Sequence, residues 1–156
     1  TIRNYQKSDR RDCLMVMKSN TPKYFAEEEI PMFEDWLKAQ EKGITAHPNS
    51  EVENYFVLEL KGKVIACAGY ALIKNSDRIH LSWGMVHADF QKQGWGKAFL
   101  SFRLNEIKKK YSKRKVALST TQDIATFFTK MGFSIQKVYP KYYSETLDRV
   151  EMIQCV

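Results

Sequence analysis

Gly94 and Gly96 lie two positions apart within Gln91-Lys92-Gln93-Gly94-Trp95-Gly96-Lys97, where a strand-like run gives way to a helix-like one. Without Cβ atoms they allow a ligand close to the backbone, and the first-turn N–H groups of the following helix have no internal partner. The helix end contributes about half a positive charge, and Lys92 and Lys97 add two full ones. A loop of this kind takes an anion, phosphate above all. It lacks both the Gly-Lys-Ser/Thr ending of a P-loop and the three glycines of a dinucleotide fingerprint. On the strand leading into it stands His80, an imidazole that titrates near neutral pH and is suited to act as a base. Ser82, two residues on, shares its face. Gly84 is costly in mid-strand unless it makes a bulge or lets a ligand approach.

The elements around these residues follow from hydrophobic periodicity. Ile2 to Tyr5 reads as a first strand, with Ser8 or Asp9 capping a helix that carries Cys13, Leu14, Val16 and Met17. A second helix is predicted from about Ala26 to Lys42, with Phe33, Trp36 and Leu37 inward and Gly43 as its C-terminal cap. Residues 44–53 read as a polar loop. Tyr55–Leu60 and Val64–Ile73 flank Lys61-Gly62-Lys63 as a hairpin, and Arg78–His87 is the strand that enters the glycine loop. Beyond the loop come a long helix to about Tyr111, a strand at Val116–Ser119, a short helix at Asp123–Lys130, and strands near Phe133–Tyr139 and Arg149–Cys155.

Two blocks carry a family resemblance. Gln-x-x-Gly-x-Gly after Val86-His87-Ala88-Asp89-Phe90 resembles the acyl-CoA signature of the Gcn5-related N-acetyltransferases (GNAT). Gln122-Asp123-Ile124-Ala125-Thr126-Phe127-Phe128-Thr129-Lys130-Met131-Gly132-Phe133 resembles the second block, a short helix ending in Lys-x-Gly-Phe ahead of a strand. Their order and separation also fit, and the resemblance covers residues 54 to 156. It implies an α/β fold of mixed α+β type, with a central mixed, mostly antiparallel sheet of six or seven strands flanked by about four helices. It implies acetyl-CoA as cofactor and direct attack by a primary amine in a ternary complex.

The resemblance also assigns residues. Gln91, Lys92, Gln93, Gly94, Gly96 and Lys97 would hold the CoA phosphates, the Val86 backbone would pair with the pantetheine arm, and the Gly84 N–H would polarise the thioester carbonyl. His80 occupies the position where histone-acetylating members place a carboxylate and arylalkylamine-acetylating members a histidine, while His87 would shape the turn. Gln122 stands where an asparagine often contacts the cofactor arm. Phe128 replaces the tyrosine that protonates the leaving thiolate in many members; it would pack on pantetheine or core, leaving Tyr139, Tyr142 or Tyr143 as candidate acids, or a thiolate that leaves unaided. Ala88 replaces a common proline without consequence for the chemistry. A base is worthwhile because deprotonating a lysine-like amine at pH 7 costs about 4 to 5 kcal/mol.

By the same resemblance the acceptor site would fall on the N-terminal helices and late loops. Glu27, Glu28, Glu29, Glu34 and Asp35, near Phe25, Phe33 and Trp36, would suit an amine or form a solvated acidic face, and Tyr142-Tyr143-Ser144-Glu145 would close over the acceptor. Composition sets the remaining expectations. The 156 residues, 44% hydrophobic and 13% aromatic, fit one globular domain spanning 1–156. No membrane-length apolar run and no signal-peptide pattern is present, so a cytoplasmic protein is expected. Cys13, Cys67 and Cys155 read as reduced core residues, with no metal site. A net charge of +7 favours polyanionic partners, of which CoA is one and nucleic acid another. Lys108 to Lys115 is a basic helix end with no recognised nucleic-acid motif. The expected partner is a small-molecule or peptide amine, the expected state monomer or homodimer, and the alternatives are transfer of another acyl group, a protein or peptide N-acetyltransferase, a non-catalytic acyl-CoA-binding regulatory module and a basic nucleic-acid-binding module.

Overall fold

Lys61 and Gly62 both take positive φ, 51° and 78°, the backbone of a two-residue hairpin whose twist matches its strands. They join β2 (Ser50–Leu60) to β3 (Lys63–Ile73), the second and third strands of the sheet. The computed structural model describes residues 1–156. β1 (Ile2–Asn4) precedes α1 (Arg10–Ser19) and α2 (Glu29–Lys42). After the hairpin come β4 (Arg78–Val86), α3 (Trp95–Lys110), β5 (Lys115–Thr120), α4 (Gln122–Lys130), β6 (Ser134–Ser144) and β7 (Leu147–Cys155). The seven strands lie in the order β1-β2-β3-β4-β5-β7-β6. The sheet is mixed and mostly antiparallel, with four helices, as the sequence predicts; only β4 and β5 run parallel.

Each face of the sheet has its own apolar cluster. Ile79, Val116, Leu118, Val150 and Met152 point to the face packed by α3 and α4, with Phe99, Leu100, Ile107 and Ala125. Tyr55, Val57, Cys67 and Met85 point to the other face, covered by Cys13, Val16 and Met17 of α1 and Phe33, Trp36 and Leu37 of α2. Those two helices pack on β2, β3 and β4. They leave β5 and β7 bare on that side, and the site lies there.

The structure departs from the sequence reading at element ends and in the burial of one cysteine. α2 begins at Glu29 rather than Ala26; the Glu29 carboxylate accepts the Ala26 N–H at 2.8 Å, so Ala26 to Glu28 form the lead-in turn. Gly43, at φ 68°, closes its far end as predicted. Asp9 does not cap α1 through its side chain, because that carboxylate takes the Gln6 N–H and the Arg3 guanidinium instead. β2 starts at Ser50, inside the segment read as loop, since Ser50 and Val52 pair with Ile73 and Leu72 of β3; tertiary pairing overrides a polar composition. Cys155 is exposed at the end of β7, whereas Cys13 and Cys67 are buried. No helix is long and apolar enough to cross a membrane.

Candidate active site

β4 pairs with β5 only through Arg78, His80 and the residue between them, against Lys115 to Ala117. From Leu81 onward the two strands part, and the sheet opens. A bulge sits at the start of this opening, where the β3–β4 register shifts between Cys67 and Gly69. Trp83 carries it at φ 45°, a strained conformation for a bulky side chain. The strain is held from outside the strand. Tyr55 donates its hydroxyl to the Trp83 carbonyl at 2.7 Å, and Phe33 and Phe25 pack on the indole at 5.3 and 6.3 Å between centroids.

Gly84 follows the bulge and faces α3. A Cβ there would lie 3.2 Å from Nη2 and 3.5 Å from Nη1 of Arg103. The missing side chain lets a guanidinium lie along the strand. Sequence reasoning passed over Arg103, although Phe99, Arg103 and Ile107 follow one another at steps of four on the buried stripe of α3. An arginine on such a stripe is the signal.

At the far end of β4 the glycine loop is tied down by side chains. Gln91 Nε2 donates to Asn20 Oδ1 at 2.6 Å and to the Val86 carbonyl at 2.9 Å. Asn20 Nδ2 donates to that carbonyl as well, at 2.9 Å. Both lone pairs of Val86 O are therefore occupied, and the Gln91 amide is engaged in shaping the loop. His87 Nδ1 accepts the Asp89 N–H at 3.1 Å, which places this histidine in the turn.

Beyond Gln91 the backbone is left open. Gln91, Lys92, Gln93 and Gly94 donate their N–H groups to no backbone carbonyl, and the first N–H groups of α3 have none within the helix to reach. Lys92 and Gly94 adopt φ 61° and 90°, so the loop winds through left-handed conformations of the kind that form anion-binding concavities. The two glycines differ. Gly94 needs its backbone angle, whereas Gly96 has ordinary room: a Cβ would meet only Phe127 at 3.9 Å and Val86 at 4.0 Å. A helical glycine costs about 1 kcal/mol relative to alanine, and nothing within the fold requires it at 96. Lys92 and Lys97 are exposed beside the loop.

On the uncovered face the parting strands bound a cavity of about 350 Å³ lined by Arg78, His80, Ser82 and Trp83 of β4, Ala117 and Ser119 of β5, and Arg149 and Glu151 of β7, among others. His80 is exposed along it. Partial desolvation of the ring, and then repulsion from Arg78, hold the imidazole below its ordinary pKa, with Glu151 pulling the other way. Water at the open wall screens these effects, but their sum leaves the ring neutral near pH 7. Arg149 lies over the rings of Tyr142 and Tyr139, at 5.0 and 5.4 Å, donates to the Tyr142 hydroxyl at 3.2 Å and pairs with Glu151 at 3.3 Å. A phenol therefore stands against the cationic wall.

The remaining sequence candidates lie elsewhere. Gln122 bonds the β6–β7 turn, with Nε2 to the Thr146 carbonyl at 2.6 Å and Oε1 from the Asp148 N–H at 2.8 Å. Phe128 packs edge-on against Phe127 and Phe133 within the α3–α4 cluster. Phe33 and Trp36 are buried under α2, leaving only Phe25 of that trio partly open beside Trp83.

The acetyltransferase (GNAT) domain family matches residues 51–135, which include the hairpin, the opening of β4 and the glycine loop. Among solved structures, a protein described as a GNAT-family acetyltransferase from Desulfovibrio desulfuricans superposes with a TM-score of 0.82 at 16% identity, over 99% of this chain and 98% of that one. The ribosomal-protein-S18-alanine N-acetyltransferase of Escherichia coli gives 0.77 at 19% identity, over 100% and 93%. An aminoglycoside 6′-N-acetyltransferase complexed with coenzyme A gives 0.75 at 10% identity, over 99% and 96%. At such identities the likeness is one of fold. No curated protein sequence matches the chain.

Proposed function

The chain belongs to the acetyltransferase (GNAT) family, and from that premise we propose that residues 1–156 form a single acetyl-CoA-dependent N-acetyltransferase domain that moves an acetyl group to a primary amine by direct attack. One observation carries the reading: the amides from Gln91 through the first turn of α3 have no backbone acceptors, beside Lys92 and Lys97. Unpaired donors at a helix start fit a pyrophosphate, and a glycine at 96 that the fold does not need leaves the room a phosphate requires. These residues fit CoA. When bound, acetyl-CoA would supply a thioester activated toward amines.

The chain's own groups then have the following tasks. Gln93, Gly94, Gly96, Lys92 and Lys97 hold the phosphates, and Gln91 keeps the loop open for them. Along the parted half of β4 the Val86 N–H would pair with the pantetheine arm, and the Gly84 N–H would polarise the thioester carbonyl. His80 takes the proton from the acceptor amine in the cavity; its depressed pKa keeps it unprotonated and ready near neutrality. Phe128 has no proton to give, and the hydroxyl beside Arg149 makes Tyr142 the candidate acid toward the leaving thiolate. The amine enters over β5 and β7, the bare face, and is a small molecule or a peptide end.

The test is paired. Calorimetric CoA binding and free-thiol release from acetyl-CoA are measured against polyamines, aminoglycosides, amino acids, arylalkylamines and peptides. Acceptor-dependent thiol release supports the transferase; tight CoA binding without turnover favours a regulatory module; absence of CoA binding overturns the reading.

A further inference from the structure

Asp9 and Arg103 are the ionisable acid and base among the buried polar residues, at 5% and 6% exposure. Asp9 is met by Arg3 at 2.8 Å. Arg103 has no carboxylate partner in the structure. Of its five N–H donors, Nη1 reaches the Gly69 carbonyl at 3.1 Å, and Nε is buried with no acceptor. The guanidinium also lies 5.8 Å from the Phe99 ring centroid, which adds attraction but no acceptor. Its Nη2 lies 3.2 Å from where a Cβ of Gly84 would stand, beside the half of β4 that has parted from β5.

A structural role accounts poorly for this arrangement. Apolar residues of similar volume commonly replace buried charges with no loss of stability, and the neighbouring stripe residues Phe99 and Ile107 are apolar. A cation kept at this depth without a counter-charge lacks an anion, and burial pushes the guanidinium down to about 10. A thioester carbonyl is neutral and would satisfy one donor. A carboxylate satisfies two with paired geometry and cancels the charge.

We propose that Arg103 is the acyl-specificity residue of the CoA site, receiving the terminal carboxylate of a dicarboxylic acyl group, malonyl or succinyl, whose thioester lies at Gly84. The inference rests on the acyl-CoA reading above and replaces acetyl by an acidic acyl chain. In the reaction the amine nitrogen attacks the thioester carbonyl carbon and the C–S bond breaks. CoA leaves as thiolate and takes up a proton equivalent to the one the amine gives up. The product is an amide that keeps its free carboxylate, with no change of oxidation state.

Calorimetric binding of CoA, acetyl-CoA, malonyl-CoA and succinyl-CoA at one ionic strength tests this without knowledge of the acceptor. Malonyl differs from acetyl by one carboxylate, and succinyl places that carboxylate one carbon further out. The wild type is expected to bind one of the two acidic thioesters at least about ten-fold tighter than acetyl-CoA, the scale of a charge-assisted hydrogen bond. In Arg103→Met the preference should shrink to within about two-fold, and Arg103→Lys should restore part of it. Equal affinity of the wild type for all three thioesters sinks the inference, as does a preference that survives in Arg103→Met. If Arg103→Met does not fold, the wild-type series decides alone. Failure to bind even CoA overturns the acyl-CoA reading itself and the inference with it, whereas CoA binding without acyl discrimination removes the inference alone.

Discussion

Under α1 and α2, the carboxylates drawn inward meet their charges; along the opening of β4, donors are left without acceptors. Asp9 takes two nitrogens of Arg3 and the Gln6 N–H, and Glu41 takes Arg10 and the Tyr5 hydroxyl. The glycine loop instead leaves its amides without backbone acceptors, and Arg103 is buried with one hydrogen bond. Leaving polar groups unpaired is costly. Under the reading proposed above, the first region is complete apart from the orphaned Trp36 Nε1, and the second is where CoA would supply the missing partners. Substitutions under the helices should therefore change stability and spare binding, and substitutions along the opening should do the reverse.

The sharpest way to break that contrast is at Gly96. Gly96→Glu puts a carboxylate where the phosphates belong, and CoA affinity should fall by more than about 100-fold, since repulsion is added to lost space. The fold should persist because an acid suits a helix N-terminus and the site has room for a Cβ. Gly96→Ala refines the point: thermal stability should rise by up to about 1 kcal/mol while CoA affinity falls. A glycine that only turned the chain would lower both or neither.

Next in size is His80→Gln, with an expected loss of about 100-fold in turnover and little change in CoA affinity. The folded imidazole lies below its ordinary value, so it is protonated, and useless as a base, only as pH falls through that lower value. The wild-type rate should decline on an acid limb below pH 6.5, and the variant should lack that limb. An identical limb in both would place His80 in the cavity wall without a part in proton transfer.

The comparison also explains which features were legible in the sequence. Glycine turns, the hairpin and the strand–loop–helix at 78–110 depend on local backbone chemistry, and they read directly. Trp83 did not, because its bulge is enforced by Tyr55, Phe33 and Phe25 from two other elements. Gln91 and Gln122 read as ligand contacts from their motif positions, but their amides find partners 71 and 24 residues away in sequence. Arg103 was visible as a charge on an apolar stripe; what spacing could not tell was that no carboxylate meets it. The start of β2 was hidden because a polar segment becomes a strand only when β3 lies beside it.

Asp9→Ala tests the paired region. Burial pushes this carboxyl up, but the bonds from Arg3 and the Gln6 N–H outweigh it and hold the pKa below the ordinary value. A depressed carboxyl stabilises the fold at pH above its unfolded value of about 3.9, and that contribution is lost as pH falls through the folded value. The variant should be about 2 kcal/mol less stable at pH 7, with the gap closing in acid, and CoA affinity should stay within about two-fold. Denaturant melts across pH and a single calorimetric titration check both halves. A large loss of CoA affinity would show that the two regions are coupled.

The smallest effect is expected at Gln122, where the contrast is most exposed to failure. Its amide bridges the β6–β7 turn through the Thr146 carbonyl and the Asp148 N–H, and both contacts are exposed, so water replaces them when the side chain is removed. Gln122→Ala should cost no more than about 0.5 kcal/mol and shift CoA affinity by less than about three-fold. If affinity instead falls ten-fold or more while the melting temperature holds, the amide leaves the turn to meet the cofactor arm, as the family resemblance implies. A hydrogen-bonded side chain would then belong to the site, and satisfaction in the free protein would no longer separate scaffold from ligand contact.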